Sequence, residues 1–214
     1  MERAPVQCKN SGAIDMIIFG AGGHGKVLLS ILKDMGKAVT AVVDENPEVT
    51  ELMGYPVILP SNLPEGDEPV ILAIGDNRIR FEKALQMKDR SFLKTVHSSA
   101  LIDEHTEIDS GAVIMPNAVV NSGSKIAAHS IINTSCVIEH DCRLGQFVHI
   151  APNATVCGGC SIGTGTLIGA GAVVLPGIQI GQWCTIGAGS VVHRDIPDKT
   201  TVVGNPAREI FTND

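Results

Sequence analysis

From Thr95 onward the chain repeats a six-residue pattern in which the second position of every block is aliphatic. Blocks such as "LIGAGA" and "VVLPGI" follow one another without interruption as far as "VVHRDI". Seventeen consecutive blocks keep the pattern, and their second positions are Val96, Ile102, Ile108, Ile114, Val120, Ile126, Ile132, Ile138, Leu144, Ile150, Val156, Ile162, Ile168, Val174, Ile180, Ile186 and Val192. Strict periodicity of this kind is the sequence signature of a solenoid.

A six-residue period provides one short flat strand and one turn, so three blocks make a triangular coil of eighteen residues. Each coil buries its inward aliphatic side chains against the coils next to it. Gly and Asn recur at the corners, where a positive φ is often needed. The hexad resembles that of the left-handed parallel β-helix in hexapeptide-repeat acyltransferases. We therefore predict five to six coils of such a helix over residues 95–196.

Residues 15–94 alternate between strand and helix patterns. The strands are expected in "AIDMIIFG", "KAVTAVVDE" and "EPVILAIGD", and the helices in "GHGKVLLSILKDMG" and "NRIRFEKALQMK". This order predicts a small βαβαβ unit with a parallel sheet, that is, a Rossmann-like α/β domain. Residues 1–14 are expected to be a flexible extension, and residues 197–214 a C-terminal tail.

The composition excludes some partners. A net charge of -7 argues against nucleic acid, which needs a basic face. No apolar run reaches the roughly 18 residues needed to cross a bilayer, and the first residues lack the apolar stretch of a signal peptide. We expect a cytoplasmic protein without membrane insertion.

Six cysteines occur, and Cys157 and Cys160 form "CGGC", which could be a redox or zinc half-site. The repeat favours a packing role instead. Four of the six occupy the sixth position of a block, which is otherwise filled by small residues: Cys136, Cys142, Cys160 and Cys184. Buried cysteine behaves as a small hydrophobic residue, so we predict reduced thiols in the core.

The segment "GAGGHGK" follows the first expected strand and matches the G-x-G-x-x-G pattern. Between a strand and a helix, backbone N–H groups and the helix dipole favour a phosphate, although a plain tight turn would leave the same pattern. Asp44 and Glu45 close the second strand, where a ribose or base is commonly held, and Gly75 ends a third strand at the same edge. Because the domain is half of a full dinucleotide fold, we expect it to hold one nucleoside diphosphate.

The sharpest cluster of titratable residues is His140 beside Asp141, with His149 nine residues on. A histidine next to a carboxylate is what a general base needs, although two solvated surface histidines would show the same spacing. Nine residues is half a coil, so the two histidines lie on different sides of the helix. They would line one cleft only with help from a neighbouring chain.

The sequence resembles the bacterial sugar O/N-acyltransferases, which include sialic acid O-acetyltransferases and the UDP-4-amino-sugar N-acetyltransferase of the bacillosamine pathway. The matching pieces are "GAGGHGK", "AIGDNRIR", "NTSCVIEHDC" and "VVGNPA". The resemblance implies a homotrimer that transfers acetyl from acetyl-CoA to the amine of a UDP-linked 4-amino sugar, with sites between subunits. O-acetylation of sialic acid or another polysaccharide precursor is the alternative.

The resemblance also implies residue roles. His140 would be the general base and Asp141 would raise its basicity, where the bacillosamine enzyme has glutamate. His149 would contact the acetyl end of acetyl-CoA. Main chain near Ala170 and Ala188 would line the pantetheine groove. The nucleotide sugar would be held by Gly22, Gly23, His24, Asp44, Glu45 and Gly75.

Two other classes fit the sequence less well. A zinc carbonic anhydrase on the same β-helix uses a pair of histidines in H-x-x-x-x-H, and no two histidines here have that spacing. We therefore expect no metal. An ice-binding solenoid would need regular rows of threonine on a flat face and no appended domain.

Overall fold

The computed structural model describes residues 16–63 and 66–212. The predicted extension at 1–14, with Cys8, lies outside these residues. The chain forms an N-terminal α/β region followed by a left-handed parallel β-helix, and both predicted fold types are confirmed.

The N-terminal region has one open sheet. Its elements are β1 (Met16–Phe19), α1 (Gly23–Asp34), β2 (Val39–Val43), β3 (Glu51–Leu52), β4 (Tyr55–Ile58), a 3₁₀ turn (Pro60–Asn62), β5 (Val70–Leu72) and α2 (Asn77–Gln86). The strand order is β3-β4-β2-β1-β5, in which β3 runs antiparallel to β4 and the other neighbouring pairs are parallel. The structure differs from the predicted βαβαβ order of elements. Two short strands, β3 and β4, lie between β2 and β5, and α2 follows β5 and leads into the β-helix.

The β-helix has three parallel sheets whose strands pair with strands eighteen residues away, as between Val119 and Val137. The valine face contains Leu101–Ile102, Val119–Val120, Val137–Ile138, Thr155–Val156, Val173–Val174 and Val191–Val192. The polar face contains Glu107–Ile108, Lys125–Ile126, Arg143–Leu144, Ser161–Ile162 and Gln179–Ile180. The docked face contains Thr95–Val96, Val113–Ile114, Ile131–Ile132, His149–Ile150, Leu167–Ile168, Thr185–Ile186, Thr200–Val203 and the antiparallel Arg208–Thr212.

The second and sixth positions of the blocks fill the interior of the coil. Second positions from Ile114 to Val192 are at most 3% exposed. Most sixth positions hold small residues, and where these carry a hydroxyl or thiol the group can donate to a carbonyl fifteen residues on, as Ser124 does to Glu139 and Cys142 does to Cys157. The sixth-position cysteines are free and buried, which agrees with a packing role.

The corners are left-handed turns at the fifth position of each block. Positive φ occurs at every such position from 111 to 189, at Gly111, Asn117, Gly123, His129, Ser135, Asp141, Phe147, Asn153, Gly159, Gly165, Gly171, Gly177, Trp183 and Gly189. Left-handed backbone disfavours most side chains, so the two bulky aromatics there are unusual.

The α/β region packs on the first coils of the docked face. Val113 and Met115 belong to the same buried cluster as Met16, Ile18 and Leu28, so the two regions share a core. The corner between the polar and docked faces, here the docking corner, carries His129, Phe147, Gly165 and Trp183 in one column against α2.

Candidate functional site

His140 and Asp141 lie at the corner between the valine and polar faces, here the base corner. The His140 Nδ1 and the Asp141 Oδ2 are 2.9 Å apart, and the side chains are 65% and 71% exposed. Asp141 takes the left-handed turn position with φ 60°. The pair therefore projects from the prism and is open to a ligand.

Two glycines leave room for this pair one coil above and one coil below. A Cβ at Gly158 would lie 2.5 Å from His140 Nε2, and a Cβ at Gly123 would lie 2.6 Å from Asp141 Oδ1. Both separations are below van der Waals contact. Any larger residue at either glycine would displace the imidazole or the carboxylate.

The environment of His140 suits a base. The hydrogen bond to Asp141 raises the pKa of His140 above its ordinary value, and the charges of Asp141 and Glu139 add to the effect. Asp141 can only accept, so this bond assigns the proton to His140 Nδ1 and leaves the lone pair on Nε2. Nε2 is thus available to take a proton from a ligand at this corner.

The glycine-rich loop sits at the carboxyl edge of the sheet, between β1 and α1. Gly25 approaches so closely that a Cβ there would meet the Gly20 carbonyl, which explains the spacing of these two glycines. Gly22 and Gly23 face open space at the start of α1. The first N–H groups of a helix have no partner within the helix, so this end can accept an anion.

The acidic residues after β2 are already engaged. Asp44 accepts a hydrogen bond from the Ala21 N–H at 2.6 Å, so it ties the second strand to the glycine-rich loop. Glu45 pairs with Lys83 of α2 at 2.5 Å. Asp44 stays beside the loop where a nucleotide would lie, whereas Glu45 would have to leave Lys83 to bind a ligand.

His149 lies beside the α/β region of its own chain. Asn133 Nδ2 donates to His149 Nε2 at 3.0 Å, because the Asn133 Oδ1 is occupied by the N–H of Thr134. This assigns the proton to His149 Nδ1, which faces the Gly75 carbonyl at 3.3 Å. Both ring nitrogens are therefore occupied, and a thioester would have to displace one of these partners.

Arg80 is the buried centre of this region and is 1% exposed. Its guanidinium donates to the carbonyls of Ile74, Gly75, His129 and Phe147 and to the Asn77 side chain. Burial lowers its pKa to about 9, so it stays charged at neutral pH.

Burial, with the charge of Arg80 as the next cause, lowers the pKa of three histidines to about 4: His24, His129 and His149. These imidazoles are neutral at pH 7. His24 Nε2 is buried without a hydrogen-bond partner among the described residues. Neutral histidines can hold a ligand by hydrogen bonds. Their lowered pKa makes them weaker bases than His140, whose pKa is raised.

A cleft of about 680 Å³ opens between the α/β region and the docked face. It is lined by His149, Leu167, Thr185, Trp183, Gly75 and Asp76, among others. Arg78 lies over the Trp183 ring, with its guanidinium carbon 5.0 Å from the ring centroid. Of these lining residues, Gly75 and His149 are among the site residues predicted from the sequence, whereas Leu167, Thr185 and Trp183 are not.

Ala170 and Ala188 lie one coil apart at the third corner, between the docked and valine faces, and both are exposed. The Gly189 N–H donates to the Ala170 carbonyl. The predicted site residues thus form three groups on one chain. His24, Gly75 and His149 come together, Ala170 and Ala188 lie at one edge of the valine face, and His140 and Asp141 lie at the other edge.

Two family models match the chain: the PglD N-terminal domain at residues 15–87 and the bacterial transferase hexapeptide (six repeats) at residues 159–194. GDP-perosamine N-acetyltransferase of Escherichia coli O157:H7 is 29% identical over 153 residues, which are 66% of this chain and 69% of that protein.

Solved structures match almost the whole chain. A histidine-to-asparagine variant of perosamine N-acetyltransferase from Caulobacter crescentus, in complex with CoA and GDP-perosamine, is 34% identical with a TM-score of 0.85 and covers 94% of this chain and 97% of that chain. The chain belongs to the bacterial sugar acyltransferase family.

Another solved relative is the acetyltransferase domain of PglB from Neisseria gonorrhoeae FA1090 in complex with acetyl coenzyme A. It is 33% identical with a TM-score of 0.86, and the match covers 93% of this chain and 100% of that chain. Membership of the sugar acyltransferase family and an acyltransferase activity, both predicted from the sequence, are confirmed.

Two structural observations concern metal ligands and membrane-spanning helices in this sugar acyltransferase. Within residues 16–63 and 66–212, no cluster of three or more His, Cys, Asp or Glu side chains is arranged to hold a metal ion. No helix in the same ranges is long and apolar enough to cross a membrane.

Proposed function

We propose that the protein is an acetyl-CoA-dependent N-acetyltransferase that acts on the amine of a nucleotide-linked 4-amino sugar, with His140 as general base. The observation that carries the proposal is the exposed His140–Asp141 pair, whose Nε2 lies against Gly158 and carries no proton. Two named relatives are perosamine N-acetyltransferases, which favours transfer to nitrogen over the sialic acid O-acetyltransferase alternative.

In this mechanism His140 Nε2 removes a proton from the amine as the nitrogen attacks the thioester carbonyl. Asp141 holds the Nδ1 proton and stabilises the imidazolium that forms. N–H groups near the carbonyl stabilise the developing oxyanion, and the exposed main chain at Ala170 and Ala188 supplies donors for the pantetheine arm. A cysteine nucleophile is disfavoured, because a side-chain hydrogen bond with Cys160 and burial raise the pKa of the Cys142 thiol.

The start of α1 would hold the diphosphate. Gly22 and Gly23 present open backbone there, and the buried His24 Nε2 offers a polar atom without a partner in the described chain. Asp44 borders the same loop. The sequence resemblance favours UDP as the nucleotide, whereas GDP-perosamine in the Caulobacter complex favours GDP as a second candidate.

We propose a homotrimer because one face of the β-helix is apolar and is not covered by any other part of residues 16–63 and 66–212. The outward residues of the valine face are Leu101, Val119, Val137, Thr155, Val173 and Val191. The polar face shows charged and polar residues instead. Packing between copies along the valine face would bring the base corner of one chain to the Ala170 edge of the next, and would complete the site.

A cytoplasmic location fits this proposal, because acetyl-CoA and nucleotide sugars are both metabolites of the cytoplasm.

The test is to incubate the purified protein with acetyl-CoA and, separately, UDP- and GDP-linked 4-amino sugars and sialic acid, and to follow thiol release. We expect release with a 4-amino sugar. His140→Ala should stay folded and lose roughly two to four orders of magnitude in kcat, the range of a general base. Release with sialic acid alone, or unchanged kcat in His140→Ala, would contradict the proposal.

A further inference from the structure

The side chain immediately before the proposed base is a second acidic group, Glu139, and it is held firmly at the end of the strand Val137–Ile138. Asn121, one coil away, donates its Nδ2 to Glu139 Oε2 at 3.0 Å. The Glu139 N–H donates to the Val156 carbonyl at 2.9 Å, and its carbonyl accepts the Ser124 hydroxyl at 2.7 Å. One hydrogen bond, from Asn121, therefore holds the carboxylate itself, and the other two fix the backbone of Glu139 to the two neighbouring coils.

The charge of Glu139 is not neutralised within the described chain. Two other glutamates form ion pairs, Glu45 with Lys83 and Glu107 with Lys125. No Lys, Arg or His nitrogen in residues 16–63 and 66–212 lies within salt-bridge distance of Glu139, and its Oε1 accepts no hydrogen bond there. Glu139 is half-buried, so it carries a partly desolvated negative charge without a cation.

The field of this carboxylate reaches the base corner. It contributes to the raised pKa of His140, after Asp141, and to that of Cys157, after burial and Cys160. Asp141 is hydrogen-bonded to Nδ1 of His140, the nitrogen that does not act as the base. Glu139 directly precedes His140 in the chain. A cationic group bound against the His140 imidazole would therefore also interact with the charge of Glu139.

Amine and hydroxyl nucleophiles differ in charge at this point. An amino sugar arrives largely as R–NH₃⁺ and first loses one proton, through His140 to water, which frees the nitrogen lone pair. Its nitrogen becomes positive again as the N–C bond forms. The overall reaction is R–NH₃⁺ plus acetyl–S–CoA to R–NH–acetyl, HS–CoA and H⁺: the C–S bond breaks, one proton ends on the thiolate and another leaves through the base. A hydroxyl is neutral, and its oxygen becomes negative as its proton departs. A fixed carboxylate therefore stabilises the positive charge on the attacking nitrogen of an amine. It disfavours the negative charge that develops on the attacking oxygen of a hydroxyl.

We propose that Glu139 is a substrate-binding residue that selects an amine over a hydroxyl, by pairing with the ammonium group of the sugar and with the positive charge on the attacking nitrogen. This inference rests on the proposed N-acetyltransferase function and names the residue that sets its substrate class. Asn121 is the positioning residue that holds the carboxylate.

The test compares the binding of two sugars to the enzyme loaded with CoA, by calorimetry. One is the nucleotide-linked 4-amino sugar that the screen identifies, and the other is the same compound with a hydroxyl at C4. Wild type should bind the amine about 10- to 100-fold more tightly, the range of a hydrogen bond to a charged group. In Glu139→Gln, which keeps an acceptor for Asn121, the two affinities should become nearly equal through weaker binding of the amine.

Turnover gives an independent readout. Glu139→Gln should lower kcat/KM for the amino sugar by about 10- to 100-fold and leave KM for acetyl-CoA within about twofold. Glu139→Asp should recover part of the loss. The matched control is Glu107→Gln on the polar face, which should change neither ratio. Thermal melting of each variant would show that the fold is intact.

A purely structural role of Glu139 would weaken both sugars equally, and an unchanged preference for the amine in Glu139→Gln would overturn the inference while leaving the proposed function in place. If wild type transferred acetyl to no amino sugar, the proposed function would fail, and this inference with it.

Discussion

Two histidine–aspartate pairs occupy the same corner column, and their geometries separate a candidate base from a surface contact. His140 is joined to Asp141 at 2.9 Å, and two coils below His105 is joined to Asp103 at 3.1 Å. His140 lies against Gly158, and the neighbouring Glu139 adds to its raised pKa after the hydrogen bond to Asp141. A short contact between histidine and carboxylate therefore does not by itself mark the site.

At the residue scale, Asp141→Asn should move the acidic limb of the kcat profile to lower pH. Asp141 raises the pKa of His140, so its removal lowers that pKa, and the base stays unprotonated down to a lower pH. The maximal kcat should also fall, because a weaker base removes the proton less well. Rates measured between pH 5 and 9 would check this.

Asp103→Asn is the matched control, because it removes the carboxylate of the second pair. Its profile should coincide with that of wild type. An acidic limb that stays in place in Asp141→Asn would argue against His140 as the titrating base.

Neighbours in sequence were predictable at this scale, and partners distant in sequence were not. His140 and Asp141 are adjacent, so the sequence indicated their pairing. The bond from Asn121 to Glu139 joins residues eighteen apart, at the third positions of equivalent blocks. Because equivalent positions of successive coils stack, the repeat indicated that Asn121 and Glu139 would lie next to each other. The occupied nitrogens of His149 were not predictable, since one partner comes from the α/β region.

At the element scale, α2 fastens the α/β region to the docking corner. Arg80 and Asn77 donate to carbonyls of three successive corner residues, His129, Phe147 and Gly165. Phe81 makes edge contacts with the rings of Phe147 and Trp183. The helix therefore spans several coils along one edge.

We expect Arg80→Met to lower the free energy of unfolding by about 2–5 kcal/mol, because buried carbonyls lose their donor. The pKa of His149 should rise from about 4 toward its ordinary value, since Arg80 is one cause of the depression. Urea denaturation and NMR titration of the histidine would measure the two effects.

Arg78→Met serves as the control for this prediction, because Arg78 is exposed and only covers the Trp183 ring. Its effect on unfolding should be about 1 kcal/mol or less. Equal losses in the two variants would show that Arg80 is not the anchor.

The strands of the β-helix were predictable because each block places one aliphatic residue at the same point, and seventeen blocks without a miss leave one register. The docking of α2 was not predicted, although aromatic residues at left-handed corners were a visible signal. Phe147 and Trp183 take positions otherwise held by Gly, Asn, Asp, Ser or His. Their rings receive α2, which offsets the backbone strain. Strands β3 and β4 were missed because they are short and one contains Pro56.

At the scale of the whole molecule, the valine face is expected to hold the assembly together. Val137→Asp would place an unpaired charge in that contact, and such burial is strongly unfavourable. We expect folded monomers in sedimentation experiments and a loss of turnover, because the base corner would no longer meet a neighbouring chain.

Ser161→Asp on the polar face adds the same charge where no contact is expected, and should leave the wild-type assembly intact. A trimer that survives Val137→Asp would place the contact on another surface.

The row of contacts between α2 and the docking corner also limits where the β-helix can gain or lose coils. The helix reaches corner residues from His129 to Trp183, so a whole coil inserted between those two would leave the solenoid regular yet move at least one contact point out of reach of α2. Coils added after Trp183 would disturb none of them. The α2 contacts therefore allow the prism to lengthen at its C-terminal end, beyond Ala188 of the proposed pantetheine groove.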